Sequence, residues 1–205
     1  MVYIKKFESF QSDSILVIVD DQKSFRLFFS EMNLNELKKY CKNFKYVYQI
    51  FDNHIDGKNV DKDYLYDKDE EAQTDHHDLY EFPNQKDVIE KRYRYDVNVD
   101  FFKNLLDKDT YQTMKTKEKN KQLKRGEMFK TSKGTYLVFI GNTHNWFECP
   151  KKLLNLLNSW KGQEVTVVGG AREECLKDVV VVAEALGVVI KTNFILTYSA
   201  TQCYF

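Results

Sequence analysis

The sequence lacks the features that mark a membrane protein or a disulfide-stabilised secreted one. No apolar run among its 205 residues approaches the roughly 18 that a membrane-spanning helix needs, and no signal-peptide pattern opens the chain. The four cysteines are widely spaced and include no CxxC pair, which favours reduced thiols. We therefore expect a cytoplasmic protein without a membrane partner, in which one of the cysteines (Cys41, Cys149, Cys175 and Cys203) can serve as a nucleophile.

The sequence also lacks net charge, because 31 lysines and arginines balance 31 acidic residues. Bulk electrostatics thus gives no reason to expect a nucleic-acid partner. The charges are nevertheless unevenly spread, with eleven acidic residues against three lysines at 52–81 and eight basic residues against two glutamates at 115–133. Solvated loops are the simplest interpretation of both runs. Aromatic residues near the basic run leave nucleic-acid binding as a minor alternative.

Strand and helix patterns alternate along the chain, without internal repeats. Strands are predicted at 14–20, 45–51, 87–91, 134–141, 164–170 and 188–196, and helices at 32–44, 149–160 and 172–187. This order, with 42% hydrophobic residues, predicts a single α/β domain. Its expected fold is a three-layer α/β/α sandwich with a mostly parallel, Rossmann-like central sheet.

Three reactive side chains, Asp20, Lys91 and Cys175, follow or end predicted strands, and ligands gather at the carboxyl ends of such strands. Cys175 also lies in the first turn of a predicted helix, where unpaired N–H groups and the helix dipole favour a thiolate and can hold an oxyanion. Asp20 can act as a base, and Lys91 as a fixed positive charge. The alternative is a buried small cysteine, a strand-end acid and a surface lysine without a shared role.

The segments around these residues resemble motifs of the isochorismatase-like cysteine hydrolase superfamily. VDDQKSF (19–25) is similar to its hydrophobic–Asp–x–Gln–x–x–Phe motif, DVIEKRYRYD (87–96) to its lysine-bearing strand, and GGAREECLKDVVVVAEALG (169–187) to its nucleophile segment. The resemblance implies that Asp20, Lys91 and Cys175 form a catalytic triad. It also implies an oxyanion hole made by the amides of Ala171 and Cys175, and a cis peptide bond at Gly170–Ala171.

A further stretch, YQIFDNHIDG (48–57), resembles the segment from which nicotinamidases project an Asp–x–His metal pair. Asp52 and His54 match this pair, and at positions i and i+2 of an extended chain they point the same way. The resemblance implies a third ligand, His76 or His77, and a divalent metal that is zinc, iron or manganese. The alternative is an acidic loop that happens to contain histidines. Phe25 and Tyr93 are candidates to contact a flat substrate ring.

The predicted function is therefore hydrolysis of a small planar amide, with nicotinamide as the substrate. Its biological role would be NAD salvage or interference with a nucleotide signal. The alternatives are another isochorismatase-like hydrolase acting on a ureido, carbamoyl or vinyl-ether substrate, or an inactive binding protein that keeps the fold. The chain departs from the family pattern at Arg172, where a threonine is usual, and at Glu173 and Glu174. A segment at 93–137 is an insertion relative to the family, interpreted as a lid, an oligomer contact or a docking surface. The resemblance also implies a homo-oligomer.

Overall fold

A mixed β-sheet runs through the protein, with helices packed on its faces. The computed structural model describes residues 14–21, 31–52, 79–94, 99–142, 145–173 and 175–198. Within these ranges no helix is long and apolar enough to cross a membrane. The strands are β1 (Ile15–Val19), β2 (Tyr46–Asp52), β3 (Gln85–Arg94), β4 (Met128–Lys130), β5 (Tyr136–Asn142), β6 (Asn145–Cys149), β7 (Glu164–Gly169) and β8 (Val189–Thr192). The helices are α1 (Glu31–Cys41), α2 (Lys108–Lys119), α3 (Lys151–Ser159) and α4 (Cys175–Ala185).

The strand order across the sheet is β4-β5-β6-β3-β2-β1-β7-β8. The five strands β3, β2, β1, β7 and β8 are all parallel to one another. The chain moves outward from β1 through β2 to β3 on one side and from β7 to β8 on the other. This reversal between β1 and β7 is the topological switch point at which α/β sheets of this kind bind ligands. The predicted α/β fold with a Rossmann-like parallel sheet is confirmed.

Strand β1 lies in the middle of the parallel sheet, and all five of its residues are buried. Ile15, Val17 and Val19 belong to the core cluster that includes residues of α3 and α4. Leu16 and Ile18 belong to the cluster that includes residues of α1. Both faces of the strand are therefore covered, which explains why its sequence is a continuous apolar run rather than an alternating one.

Strands β4, β5 and β6 extend the sheet with antiparallel pairing beyond β3. In β5, Val138 and Ile140 join the core beneath α3 and α4, while Leu137 and Phe139 join a separate cluster around Trp146 that includes residues of α2. The sequence pattern predicts the strand at 134–141 but none at 145–149. Strand β6 is also buried on both faces, so it shows no apolar–polar alternation by which it could be found.

The strand predicted at 87–91 runs from Gln85 to Arg94, so Lys91 lies within β3 and not at its end. Two further predicted boundaries differ from the structure near the candidate site. The helix predicted at 172–187 begins only at Cys175, so the preceding residues form a turn. The strand predicted at 188–196 ends at Thr192, because the Asn193 side chain accepts a hydrogen bond from the Ile195 amide (3.2 Å) and caps a 3₁₀ turn at Phe194–Leu196. Both differences create turns at the carboxyl ends of β7 and β8.

Candidate active site

Asp20 follows β1 at the switch point and has a left-handed backbone conformation, with φ of 49°. Its amide donates a hydrogen bond of 2.8 Å to the Ile50 carbonyl in β2, which holds the residue against the neighbouring strand. A left-handed conformation in a residue other than glycine costs about 1–3 kcal/mol, and such strained residues are enriched at functional sites. The backbone at Asp20 therefore marks this strand end as a candidate site.

Lys91 reaches Asp20 from β3, although β2 lies between their strands. Its Nζ atom is 2.7 Å from Oδ2 of Asp20, and both side chains are 0% exposed. The alternative of a surface lysine is thereby excluded. Removing two charges from water costs several kcal/mol per ion, so a buried ion pair contributes little net stability. The pair is therefore a candidate for a functional role at this strand end.

The turn after β7 brings the start of α4 against the end of β1. Gly169 is the Cα partner of Val19, and Gly169 and Gly170 have φ values of 77° and 56°. A Cβ atom on Gly169 would overlap the Val19 carbonyl oxygen, and one on Gly170 would lie 3.3 Å from the Leu176 amide nitrogen. Only glycine permits this close passage. The turn places Cys175, the first residue of α4, beside the strand end that leads into Asp20.

The described cysteines differ in their suitability as nucleophiles. Burial raises the pKa of the Cys41 thiol to about 12, and it does the same for the Cys149 thiol. Both are core residues and will remain protonated at neutral pH. Cys175 is 9% exposed and is the first residue of a helix, whose first amide groups have no partner within the helix. It is therefore the candidate nucleophile among the described cysteines.

The Gly170–Ala171 peptide bond is trans, since the described residues contain no cis peptide bond. The prediction of a cis bond at this position is wrong. The turn is instead extended and pairs with the segment after β8. The Tyr198 amide donates to the Gly170 carbonyl (3.3 Å), and the Arg172 amide donates to the Tyr198 carbonyl (3.0 Å). The oxyanion hole at the amides of Ala171 and Cys175 stays a prediction.

The predicted metal site falls largely outside the described residues. Asp52 ends β2 and is the Cα partner of Lys91, which places its backbone next to the ion pair. Its side chain lies outside the described part of the chain, as do His54, His76 and His77. Within the described ranges no three His, Cys, Asp or Glu side chains are grouped as a metal site requires. The metal stays a prediction.

The predicted substrate contacts of Phe25 and Tyr93 also fall outside what the structure describes. Phe25 lies outside the described residues. The backbone of Tyr93 pairs with Phe147 where β3 meets the antiparallel extension, but its side chain is not among those described. Stacking of either ring on a substrate stays a prediction.

Two buried acids near the site were not singled out by sequence analysis. Asp178 is fully buried one helical turn after Cys175, so both lie on the same side of α4. Asp21 is also fully buried, and burial raises its pKa to about 7 although Lys38 acts in the opposite direction. The buried Gln49 side chain donates to the Asp21 carbonyl (3.2 Å). An acid within an otherwise apolar helical stripe was the available signal for Asp178.

No protein-family model, no curated protein and no solved structure matches the chain significantly. The likeness to isochorismatase-like hydrolases thus depends on the sequence motifs and remains a prediction.

Proposed function

We propose that the protein is a cysteine amidohydrolase that cleaves a small planar amide through a thioester, with nicotinamide as the first choice of substrate. The observation that supports this most is the fully buried Asp20–Lys91 ion pair at the switch point. The turn that leads to Cys175 packs against the residue before Asp20. An acid–base group, a fixed cation and a thiol at a helix start are together what acyl transfer requires.

In the first half of the proposed reaction, Asp20 takes the thiol proton of Cys175 and the thiolate attacks the carbonyl carbon of the amide. The carbonyl oxygen becomes an oxyanion, which accepts hydrogen bonds from the amides of Ala171 and Cys175. Collapse of this intermediate breaks the C–N bond. Asp20 returns its proton to the leaving nitrogen, so that ammonia departs and a thioester remains on Cys175.

In the second half, Asp20 takes a proton from water, whose oxygen attacks the thioester carbonyl. Breakdown of this intermediate breaks the C–S bond, releases the carboxylic acid and restores the thiol with the proton held by Asp20. Lys91 stays positively charged beside Asp20 while this proton moves, and it stabilises the anionic groups of the site. With nicotinamide as the substrate the product is nicotinate, which suits a cytoplasmic role in NAD salvage.

The proposal retains a divalent metal, most simply zinc, held by Asp52, His54 and one of His76 and His77. The position of the Asp52 backbone beside Lys91 fits a metal near the triad. When bound, such a metal would hold a ring nitrogen of the substrate. Every covalent step above uses only residues of the chain, and none depends on this metal.

Ammonia release from nicotinamide by the purified protein tests the proposal, together with a metal assay. Cys175→Ala and Asp20→Asn should abolish release, because each removes a group that takes part in every turnover. Cys149→Ala is the matched control, since it removes a buried cysteine that the reaction does not use. Release by wild type and by this control alone, with about one metal per chain, is the expected result.

Other outcomes identify the alternatives. Bound metal without ammonia from nicotinamide would reject this substrate and direct the assay to other amides. Turnover of a ureido or carbamoyl compound without metal would place the protein in another branch of the superfamily. Neither metal nor hydrolysis, with Cys175 inert to iodoacetamide at neutral pH, would overturn the enzyme proposal and support a binding protein.

A further inference from the structure

Arg172 lies in the turn that connects β7 to Cys175, where the resemblance led us to expect a threonine. Its Nε atom donates to Oγ1 of Thr197 (2.8 Å), and its Nη2 atom donates to the Phe194 carbonyl (3.2 Å). The guanidinium carbon also lies 5.6 Å from the centre of the Phe194 ring, within the range of a cation–π contact. One side chain thus contacts a hydroxyl, a carbonyl and an aromatic face of the segment 194–198.

The segment that Arg172 contacts is itself well ordered by hydrogen bonds. The Thr197 hydroxyl donates to the Phe194 carbonyl (3.0 Å), and the Leu196 amide donates to the Asn193 carbonyl (3.1 Å). Tyr198 then pairs with the turn through its amide and carbonyl. Both the side chain and the backbone of Arg172 therefore form hydrogen bonds with the same segment after β8.

The turn before Cys175 needs such an anchor. Gly169 and Gly170 are required by the close passage over β1, but glycine leaves the backbone more freedom than any other residue. Only residues 171–174 separate these glycines from the thiol. Without an external contact, the start of α4 could shift relative to Asp20.

We propose that Arg172 is a positioning residue, which holds the β7–α4 turn on the segment 194–198 and thereby fixes the Cys175 thiol relative to Asp20. The expected effect of Arg172 on kcat rests on the proposed function, whereas its role in placing the turn and the Cys175 thiol does not. Arginine suits the role because its planar fork donates to two acceptors at once. Lysine offers a single ammonium group and would not replace it fully.

The test compares Arg172→Ala and Arg172→Lys with Arg125→Ala. Arg125 is a matched control, since it is another exposed arginine, and its guanidinium lies 4.0 Å from the Glu184 carboxylate. We expect Arg172→Ala to lower kcat about 10- to 100-fold with KM changed less than about twofold, because misplaced reacting groups cost rate rather than binding. Arg172→Lys should fall between wild type and alanine, and Arg125→Ala should match wild type.

A second readout does not depend on turnover. The pH profile of Cys175 alkylation by iodoacetamide, followed on its own peptide by mass spectrometry, should move to higher pH in Arg172→Ala. Hydrogen exchange at the amides of Arg172 and Tyr198 should become faster in the same variant. Thr197→Val should move the profile in the same direction, and combining it with Arg172→Ala should add little, since both changes remove one contact.

The outcomes separate the two proposals. If wild type hydrolyses no amide but the alkylation profile moves in Arg172→Ala, the positioning role stands and the proposed function fails. The positioning role is overturned if folded Arg172→Ala has a kcat within twofold of wild type and its Cys175 alkylation rates also stay within twofold at every pH. This holds even if the amides of Arg172 and Tyr198 exchange faster.

Discussion

Among single residues, two ion pairs of nearly equal length differ in how much stability is lost when one partner is removed. Lys91 and Asp20 are 2.7 Å apart and fully buried, whereas Lys152 and Asp87 are 2.8 Å apart with side chains 59% and 39% exposed. Water compensates either member of the exposed pair when its partner is lost. It cannot compensate the buried pair, so loss of one member leaves a charge in the core.

Lys91→Met should therefore lower the free energy of unfolding by about 3–5 kcal/mol, the usual cost of an unpaired buried charge. Lys152→Met should lower it by less than about 1 kcal/mol. Urea unfolding at pH 7 measures both changes. The double variant Lys91→Met/Asp20→Asn should recover part of the loss, and a double variant no more stable than Lys91→Met would contradict this explanation.

The raised pKa of Asp21 leads to a separate prediction about how folding stability depends on pH. Its pKa of about 7 in the folded protein lies above the ordinary 3.8, so the folded state binds more protons than the unfolded state between these values. Stability should consequently fall as pH rises from about 4 to 7 and remain constant above. Asp21→Asn removes this effect and should be more stable at pH 8, by up to about 4 kcal/mol.

Urea unfolding at several pH values between 5 and 8 measures this difference. Asp109→Asn, at an exposed position in the first turn of α2, serves as the control and should keep the pH slope of the wild type. Parallel pH dependences for wild type and Asp21→Asn would show that Asp21 is not the group responsible.

For Asp20 and Asp21, the sequence pattern predicts a candidate site but not the burial of both side chains. Two acids at the end of an apolar strand could be recognised as a candidate site, and Asp20 was chosen by its motif. That the adjacent Asp21 is fully buried as well was not predictable, because it depends on the packing beneath α1 and on Gln49 of β2. Acids at strand ends are ordinarily solvated.

At the scale of elements, the turn between β7 and α4 depends on a glycine for a reason that involves another strand. The left-handed φ of Gly169 alone would disfavour a side chain. In addition, the Val19 backbone of β1 occupies the place where a Cβ atom would lie. Gly162 has a nearly identical φ of 76° but no atom within 4 Å of an added Cβ.

Gly169→Ala should therefore cost about 3 kcal/mol or more, the sum of backbone strain and overlap. Gly162→Ala should cost about 1–2 kcal/mol from the backbone conformation alone. Thermal unfolding of the two variants measures the difference. Equal losses would mean that β1 and the turn can separate at little cost, and that the turn does not hold Cys175 against β1.

The directions of the side chains in β5 and β6 determine which core clusters these strands join. Each strand sends neighbouring residues to opposite faces, so Trp146 belongs to the cluster beneath α2 while Phe147 belongs to the core beneath α3 and α4. The antiparallel extension is thus packed into both clusters rather than attached at one edge of the sheet. This sharing connects the segment around 99–137 to the parallel sheet.

At the scale of the whole molecule, this sharing predicts cooperative unfolding. The chain has two tryptophans, Trp146 in the cluster beneath α2 and Trp160 in the core beneath α3. Trp160→Phe leaves the first as the fluorescence probe, and Trp146→Phe leaves the second. Because β5 and β6 belong to both clusters, each variant should show coincident urea midpoints by its tryptophan fluorescence and by circular dichroism.

Separate midpoints in the Trp160→Phe variant, with Trp146 fluorescence changing first, would show instead that the extension unfolds as an independent unit. That result would contradict the inference that the two clusters form one cooperative structure.

The α/β class and most strands and helices could be predicted from the sequence, because strands and helices differ in the spacing of their apolar residues. The same patterns correctly placed Asp20 directly after β1 and Cys175 after β7, whereas Lys91 lies inside β3, three residues before its end. Only the tertiary structure decided that Lys91 reaches across β2 to Asp20, that the Gly170–Ala171 bond is trans, and that Arg172 contacts segment 194–198. These contacts join residues distant in the sequence, and strand order and burial, which no local pattern encodes, bring them together.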